Sequence, residues 1–91
     1  MPPVRTRALF SGTVQGVGFR WTARDIAATF AVAGYARNLS DGRVEIVAEG
    51  EEKVVNSFIA AVRARMDRYI SGVEAKNEPP TGERRGFEIR M

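Results

Sequence analysis

Thr6-Arg7-Ala8-Leu9-Phe10-Ser11-Gly12-Thr13-Val14-Gln15-Gly16-Val17-Gly18-Phe19-Arg20-Trp21 passes from an alternating segment, through two glycines two residues apart, into a helical one. Thr6 to Gly12 reads as a strand, with Ala8 and Phe10 on one face and Arg5 and Arg7 on the other. Leu9 breaks the alternation, which predicts a central or partly covered strand. Thr13 to Arg20 reads as a loop. From about Trp21 to Phe30 the positions Ala23, Ile26, Ala27 and Phe30 form one apolar helical stripe, and Gly34 breaks it.

Working outward, a second strand is predicted around Tyr35 to Asn38, and Leu39-Ser40-Asp41-Gly42 is a hairpin turn. Arg43 to Glu49 is a third strand, with Val44, Ile46 and Ala48 opposite Arg43, Glu45 and Glu49. A second helix spans about Glu51 to Met66: Val54, Phe58, Val62 and Met66 recur every four residues, widened by Val55 and Ile59. Glu51 and Glu52 at its start and Arg63, Arg65 and Arg68 near its end suit the helix dipole. Ile70 to Lys76 and Gly86 to Arg90 are the last strands, joined through the loop Glu78-Pro79-Pro80-Thr81-Gly82. Each helix has one apolar stripe, so both cover the same face of one sheet. The order implies an α+β, ferredoxin-like split β-α-β sandwich with an antiparallel sheet, as one domain over residues 1–91. Trp21, Phe30 and Phe58 are expected in the core, and Arg84-Arg85 in a solvated loop.

Composition narrows the chemistry. The chain contains neither cysteine nor histidine, which removes disulfides, thiolate or imidazole metal ligands, a Cys nucleophile and the commonest general base. Any catalysis must then use Arg, Asn, carboxylates, hydroxyls or main chain. Twelve Arg and two Lys against eleven acids leave a net charge of +3, compatible with an anionic partner or with a plain solvated surface. Uncharged runs such as Ile26 to Ala36 are too short to cross a bilayer, and the N-terminus lacks the apolar segment of a secretory signal. The expectation is a cytoplasmic monomer with no membrane partner.

In the loop Gln15 to Phe19, main-chain N–H groups of a tight glycine turn would converge on an anion, reinforced by the positive end of the following helix. Arg20 would add a planar fork of donors. The Gly-Lys-Ser/Thr ending of a nucleotide P-loop is missing, so a triphosphate is not the expected ligand. On glycines and one arginine alone, the segment reads more readily as an ordinary turn with Arg20 in solvent. Asn38 alone reads as a hairpin-turn residue. Arg37 is a rival anion ligand, but strand neighbours point to opposite faces, so Arg37 and Asn38 cannot both face one site.

The full string decides between these readings. Gly12-Thr13-Val14-Gln15-Gly16-Val17-Gly18-Phe19-Arg20 closely resembles the signature of the acylphosphatase family. Gly34-Tyr35-Ala36-Arg37-Asn38 with Asp41-Gly42-Arg43-Val44-Glu45 resembles its second signature, and the ending Gly86-Phe87-Glu88-Ile89-Arg90 is also similar. The resemblance implies hydrolysis of a small acyl phosphate with no metal and no cofactor. Arg20 would bind phosphate, Asn38 would hold the attacking water, and the amides of Gln15, Gly16, Val17, Gly18 and Phe19 would form the cradle. Three positions depart from the pattern. Ala31 replaces a frequent glycine, which would cost about 1 kcal/mol if that backbone needs positive φ. Arg65-Met66-Asp67-Arg68-Tyr69 replaces a Gly-Pro, and Tyr35 replaces a tryptophan.

The residue set suits that reaction. An acyl phosphate expels a carboxylate, whose conjugate acid has a pKa of about 4 to 5, so departure needs no general acid. Two other functions compete. RNA-binding sheets stack bases on exposed aromatics, whereas Arg43 to Glu49 has no aromatic and carries Glu45 and Glu49, so no nucleic-acid partner is expected. A non-catalytic domain that binds phosphate or carbamoyl phosphate is the alternative on the same fold.

Overall fold

The computed structural model describes residues 2–84 and 86–91; Arg85, half of the anticipated Arg84-Arg85 loop, and Met1 lie outside the described residues. The elements are β1 (Pro3–Gly12), α1 (Phe19–Ala27), β2 (Ala33–Asn38), β3 (Val44–Glu51), α2 (Glu52–Arg65), a 3-10 turn (Asp67–Tyr69), β4 (Ile70–Glu78) and β5 (Phe87–Arg90). They build one five-stranded sheet in the order β4-β1-β3-β2-β5. The split β-α-β, ferredoxin-like plan is present; β3 is the central strand, and β1 is interior, paired on both edges, with Leu9 partly covered. The sheet is mixed, not wholly antiparallel: β5 pairs with β2 in parallel.

Register fixes what each face carries. Phe10 lies opposite Val44 and Ala8 opposite Ile46 on β3, and on β2 Ala36 also lies opposite Ile46. These side chains are fully buried beneath Phe19, Ala23 and Ala27 of α1 and Val55, Phe58 and Val62 of α2. Aromatic contacts tie the layers, with Phe10–Phe19 ring centroids 5.1 Å apart and Phe58–Phe87 5.3 Å apart. Each such side chain contributes roughly 2 to 3 kcal/mol through burial.

Helix α1 begins two residues earlier than its apolar stripe predicts and ends at Ala27. Gly18 caps it in a left-handed conformation (φ 78°, ψ 20°), so Phe19 takes the first buried position. With Phe19, Ala23 and Ala27 inward, Trp21 falls on the opposite side of the helix and is 54% exposed. It is therefore not a core residue; the Arg24 guanidinium lies over its ring at 4.2 Å. Phe58 is buried, and Phe30 is half-buried against the core. Ala31 incurs no conformational cost, because no described residue other than glycine has positive φ. In the region of the absent Gly-Pro the chain passes from α2 to β4 through the 3-10 turn Asp67–Tyr69.

The face away from the helices is also covered. From β4 at one edge, residues 79–84 run across it towards β5 at the other, with Thr81 and Gly82 against β3. Glu49, 1% exposed, anchors the crossing: it accepts hydrogen bonds from Thr81 N–H (3.0 Å), Thr81 Oγ1 (2.9 Å), Gly82 N–H (2.7 Å) and Arg5 Nη1 (3.0 Å). Glu45 is buried as well, ion-paired with Arg7 and with Arg37 Nη2 (2.9 Å). The two acids read as a polar face are thus interior charges held by arginines. Among the described residues, no helix is long and apolar enough to cross a membrane.

This anchor makes stability depend on pH. Burial alone pushes the Glu49 carboxyl upward, but the Thr81 amide, the Arg5 guanidinium, the Gly82 amide and the Thr81 hydroxyl outweigh it and hold it at about 2, below the ordinary 4.5. The folded state therefore releases this proton more readily than the unfolded chain. The stabilisation is fully present above the ordinary value and is lost as pH falls towards 2. We expect Glu49→Gln to be less stable than wild type at neutral pH, with the gap closing by on the order of 3 kcal/mol between about pH 5 and about pH 2. Urea midpoints of the two proteins across that range measure it; a gap that does not change with pH would refute it.

Candidate active site

Three pieces of chain meet at the end of the sheet where β2 and β5 finish. The first is the loop between β1 and α1. Gly16 and Gly18 both have positive φ, 80° and 78°, and no atom lies within 4 Å of where a Cβ would sit on either. A turn of this kind directs successive N–H groups to one side. Among the described residues, no carbonyl or side chain accepts a hydrogen bond from the amides of Gln15, Gly16, Val17, Gly18 or Phe19. The first turn of α1 contains no acid and no side-chain cap. Its positive end is therefore unneutralised and suited to an anion.

The second piece is Arg20, half-buried in that first turn and not in the loop. Its Nη1 donates to the Arg90 carbonyl oxygen at 3.1 Å and reaches Met91 Sδ at 3.6 Å. The contact fixes the guanidinium against the end of β5 and leaves Nε and Nη2 without a protein acceptor among the described residues. A fork of donors held this way matches two oxygens of a phosphoryl group.

The third piece is Asn38, the last residue of β2 and half-buried. It lies opposite Val44, whose partner across β1 is Phe10, so its side chain is on the helix-covered face, the face of Arg20 and the loop. Arg37 lies opposite Glu45 and pairs with it on the other face. In the parallel pairing Arg37 is also opposite Arg90, so Asn38 stands one residue beyond the place where Arg20 is anchored.

The sequence-derived residues Gln15, Gly16, Val17, Gly18, Phe19, Arg20 and Asn38 thus gather at one end of the fold. Sequence reasoning missed the Arg90 carbonyl, a main-chain acceptor that no side-chain pattern reveals. It also assigned Gln15 only a main-chain role, although its carboxamide donates to the carbonyls of Leu39 (2.7 Å) and Arg43 (3.0 Å). Among the described residues, no three acidic side chains are grouped as metal ligands.

In sequence and in fold the chain is similar to known proteins. A family model described as acylphosphatase matches residues 6–89. An acylphosphatase from Roseiflexus sp. (strain RS-1) is 42% identical over 90 residues, which covers 98% of this chain and 97% of the relative. The crystal structure of an acylphosphatase from Bacillus subtilis has a TM-score of 0.85 at 31% identity, covering 97% of this chain and 99% of that one. A full-length HypF structure, in its phosphate- and nucleotide-bound form, has a TM-score of 0.84 at 26% identity; the match covers 99% of this chain but 12% of that one.

Proposed function

The chain belongs to the acylphosphatase family and hydrolyses acyl phosphates, and on that premise we propose that Arg20 and the amides of residues 15–19 hold the phosphoryl group while Asn38 aims the water. The observation that carries the assignment is the convergence of a Gly18-capped helix start, an Arg20 anchored at the end of β5, and Asn38 at the adjoining end of β2.

The reaction breaks the bond between phosphorus and the acyl oxygen and forms one between phosphorus and water oxygen. A loose transition state spreads charge over three phosphoryl oxygens, so positioning and electrostatics supply most of the acceleration. Main-chain amides and the Arg20 guanidinium meet those oxygens. The Asn38 carboxamide oxygen accepts a hydrogen bond from the water and turns a lone pair towards phosphorus. An amide is too weak a base to take the proton, which passes to a phosphoryl oxygen. The carboxylate leaves with the bonding electron pair and needs no proton. In this reading residues 1–91 form one acylphosphatase-like domain, a cytoplasmic monomer that uses no metal and has no nucleic-acid partner.

The test is hydrolysis of acetyl phosphate and benzoyl phosphate with chelator present. Wild type should retain full activity in chelator. Asn38→Ala should lose about 10²–10³ in kcat, while inhibition by inorganic phosphate stays within a few-fold. An Asn38→Ala enzyme at wild-type rate, or a wild type silenced by chelator, would overturn the reading.

A further inference from the structure

The Gln15 carboxamide joins the two halves of the site. Its Nε2 donates both hydrogens across the molecule, to the Leu39 oxygen at 2.7 Å and the Arg43 oxygen at 3.0 Å. Leu39 directly follows Asn38, and its own N–H donates to the same Arg43 oxygen at 2.8 Å, closing the base of the hairpin. Among the described residues, no other hydrogen bond links the segment 13–18 to the hairpin 38–43. The start of the loop is fastened elsewhere, by Thr13 N–H donating to the Tyr69 oxygen at 2.9 Å.

We propose that Gln15 is a positioning residue whose side chain sets the distance between the phosphate cradle and the water held by Asn38. The inference rests on the role given to Asn38 above. The main-chain N–H of residue 15 belongs to the cradle whatever its side chain, so phosphate binding survives its replacement. The hairpin end that carries Asn38 loses the two hydrogen bonds that tie it to the loop. In-line attack needs the water oxygen about 3–3.5 Å from phosphorus, and a displacement of about 1 Å costs on the order of 10² in rate. Gln15 therefore acts on kcat and not on ground-state binding.

Gln15→Met keeps the length and apolar bulk of the side chain and removes both donors. We expect kcat for benzoyl phosphate to fall about 10- to 100-fold, with KM and inhibition by inorganic phosphate both within about threefold of wild type. The decisive measurement is a double-mutant cycle with Asn38→Ala. Once Asn38 is gone, Gln15→Met should change kcat by less than about threefold. Circular dichroism verifies folding, and Gln15→Glu, of equal length with acceptors in place of donors, serves if the Met variant does not fold. An equal loss from Gln15→Met in both backgrounds, or a KM and phosphate inhibition that shift together with kcat, would sink the inference while leaving Asn38 in its role. An Asn38→Ala enzyme as fast as wild type would remove the role of Asn38 and this inference with it.

Discussion

Arg20→Ala should lower kcat/KM for an acyl phosphate by about 10³ or more, within the range for a single arginine at a transferring phosphoryl group. The guanidinium is held where the loop, β2 and β5 meet, and its partner there is a neutral carbonyl oxygen, not an acid. Nothing in the fold depends heavily on it: Arg20 is half-buried, and its removal costs one contact with Arg90 and one with Met91. Inorganic phosphate should also bind at least tenfold more weakly, because the lost donors act on ground-state and transition-state oxygens alike. Arg20→Lys should recover little, since an ammonium presents a point charge where two oxygens need a fork. Steady-state rates and phosphate inhibition, with circular dichroism for folding, check this. An Arg20→Ala enzyme within tenfold of wild type would contradict it.

Gly34→Ala should unfold the protein or come close, with a loss of about 4 kcal/mol or more. Gly34 is the second residue of β2, at φ 148°, and a Cβ there would lie 1.8 Å from the Val47 carbonyl oxygen and 2.8 Å from its carbon. Those atoms are main chain in β3, the strand that β2 must pair with through Gly34 and Ala48. No rotamer relieves such a contact, so one strand must shift. Gly34 N–H also donates to the Gly86 oxygen at 2.9 Å on the other side, so the shift would loosen β5 and the seat of Arg20. At about 4 to 8 °C per kcal/mol for a domain of this size, the thermal midpoint should fall by at least about 16 °C. A fall under about 5 °C would show that the sheet accommodates the methyl group.

Much of this was legible because the governing patterns are local. Alternation in β1 and β3, the four-residue stripe of α2 and the Asp41-Gly42 turn need only neighbouring residues to be read, and they gave the order of the elements. Trp21 was misplaced for a definable reason. Its aromatic type suggests burial, but with Ala23 and Ala27 inward, as the stripe requires, a residue two positions before Ala23 falls on the nearly opposite, solvent side of the helix. The parallel β5 was hidden because four residues carry no sign of direction. Glu49 is enclosed by Thr81 and Gly82, more than thirty positions later in the chain, and Glu45 is paired with Arg7 and Arg37 on two other strands, relations that no local pattern shows. At the site, Arg20 and Asn38 were visible through the family resemblance. The Arg90 acceptor and the second use of Gln15 become apparent only when the register is known.

The seat of Arg20 bears on how the protein matures. Its acceptor, the Arg90 oxygen, comes 70 positions later in the chain. During synthesis the first helix therefore leaves the ribosome long before the strand that steadies its arginine, and a nascent chain lacking β5 carries the cradle without a seated cation. On the role proposed for Arg20, competence would arrive with β5, and hydrolysis would report completion of the whole sheet and not the folding of the segment that bears the signature.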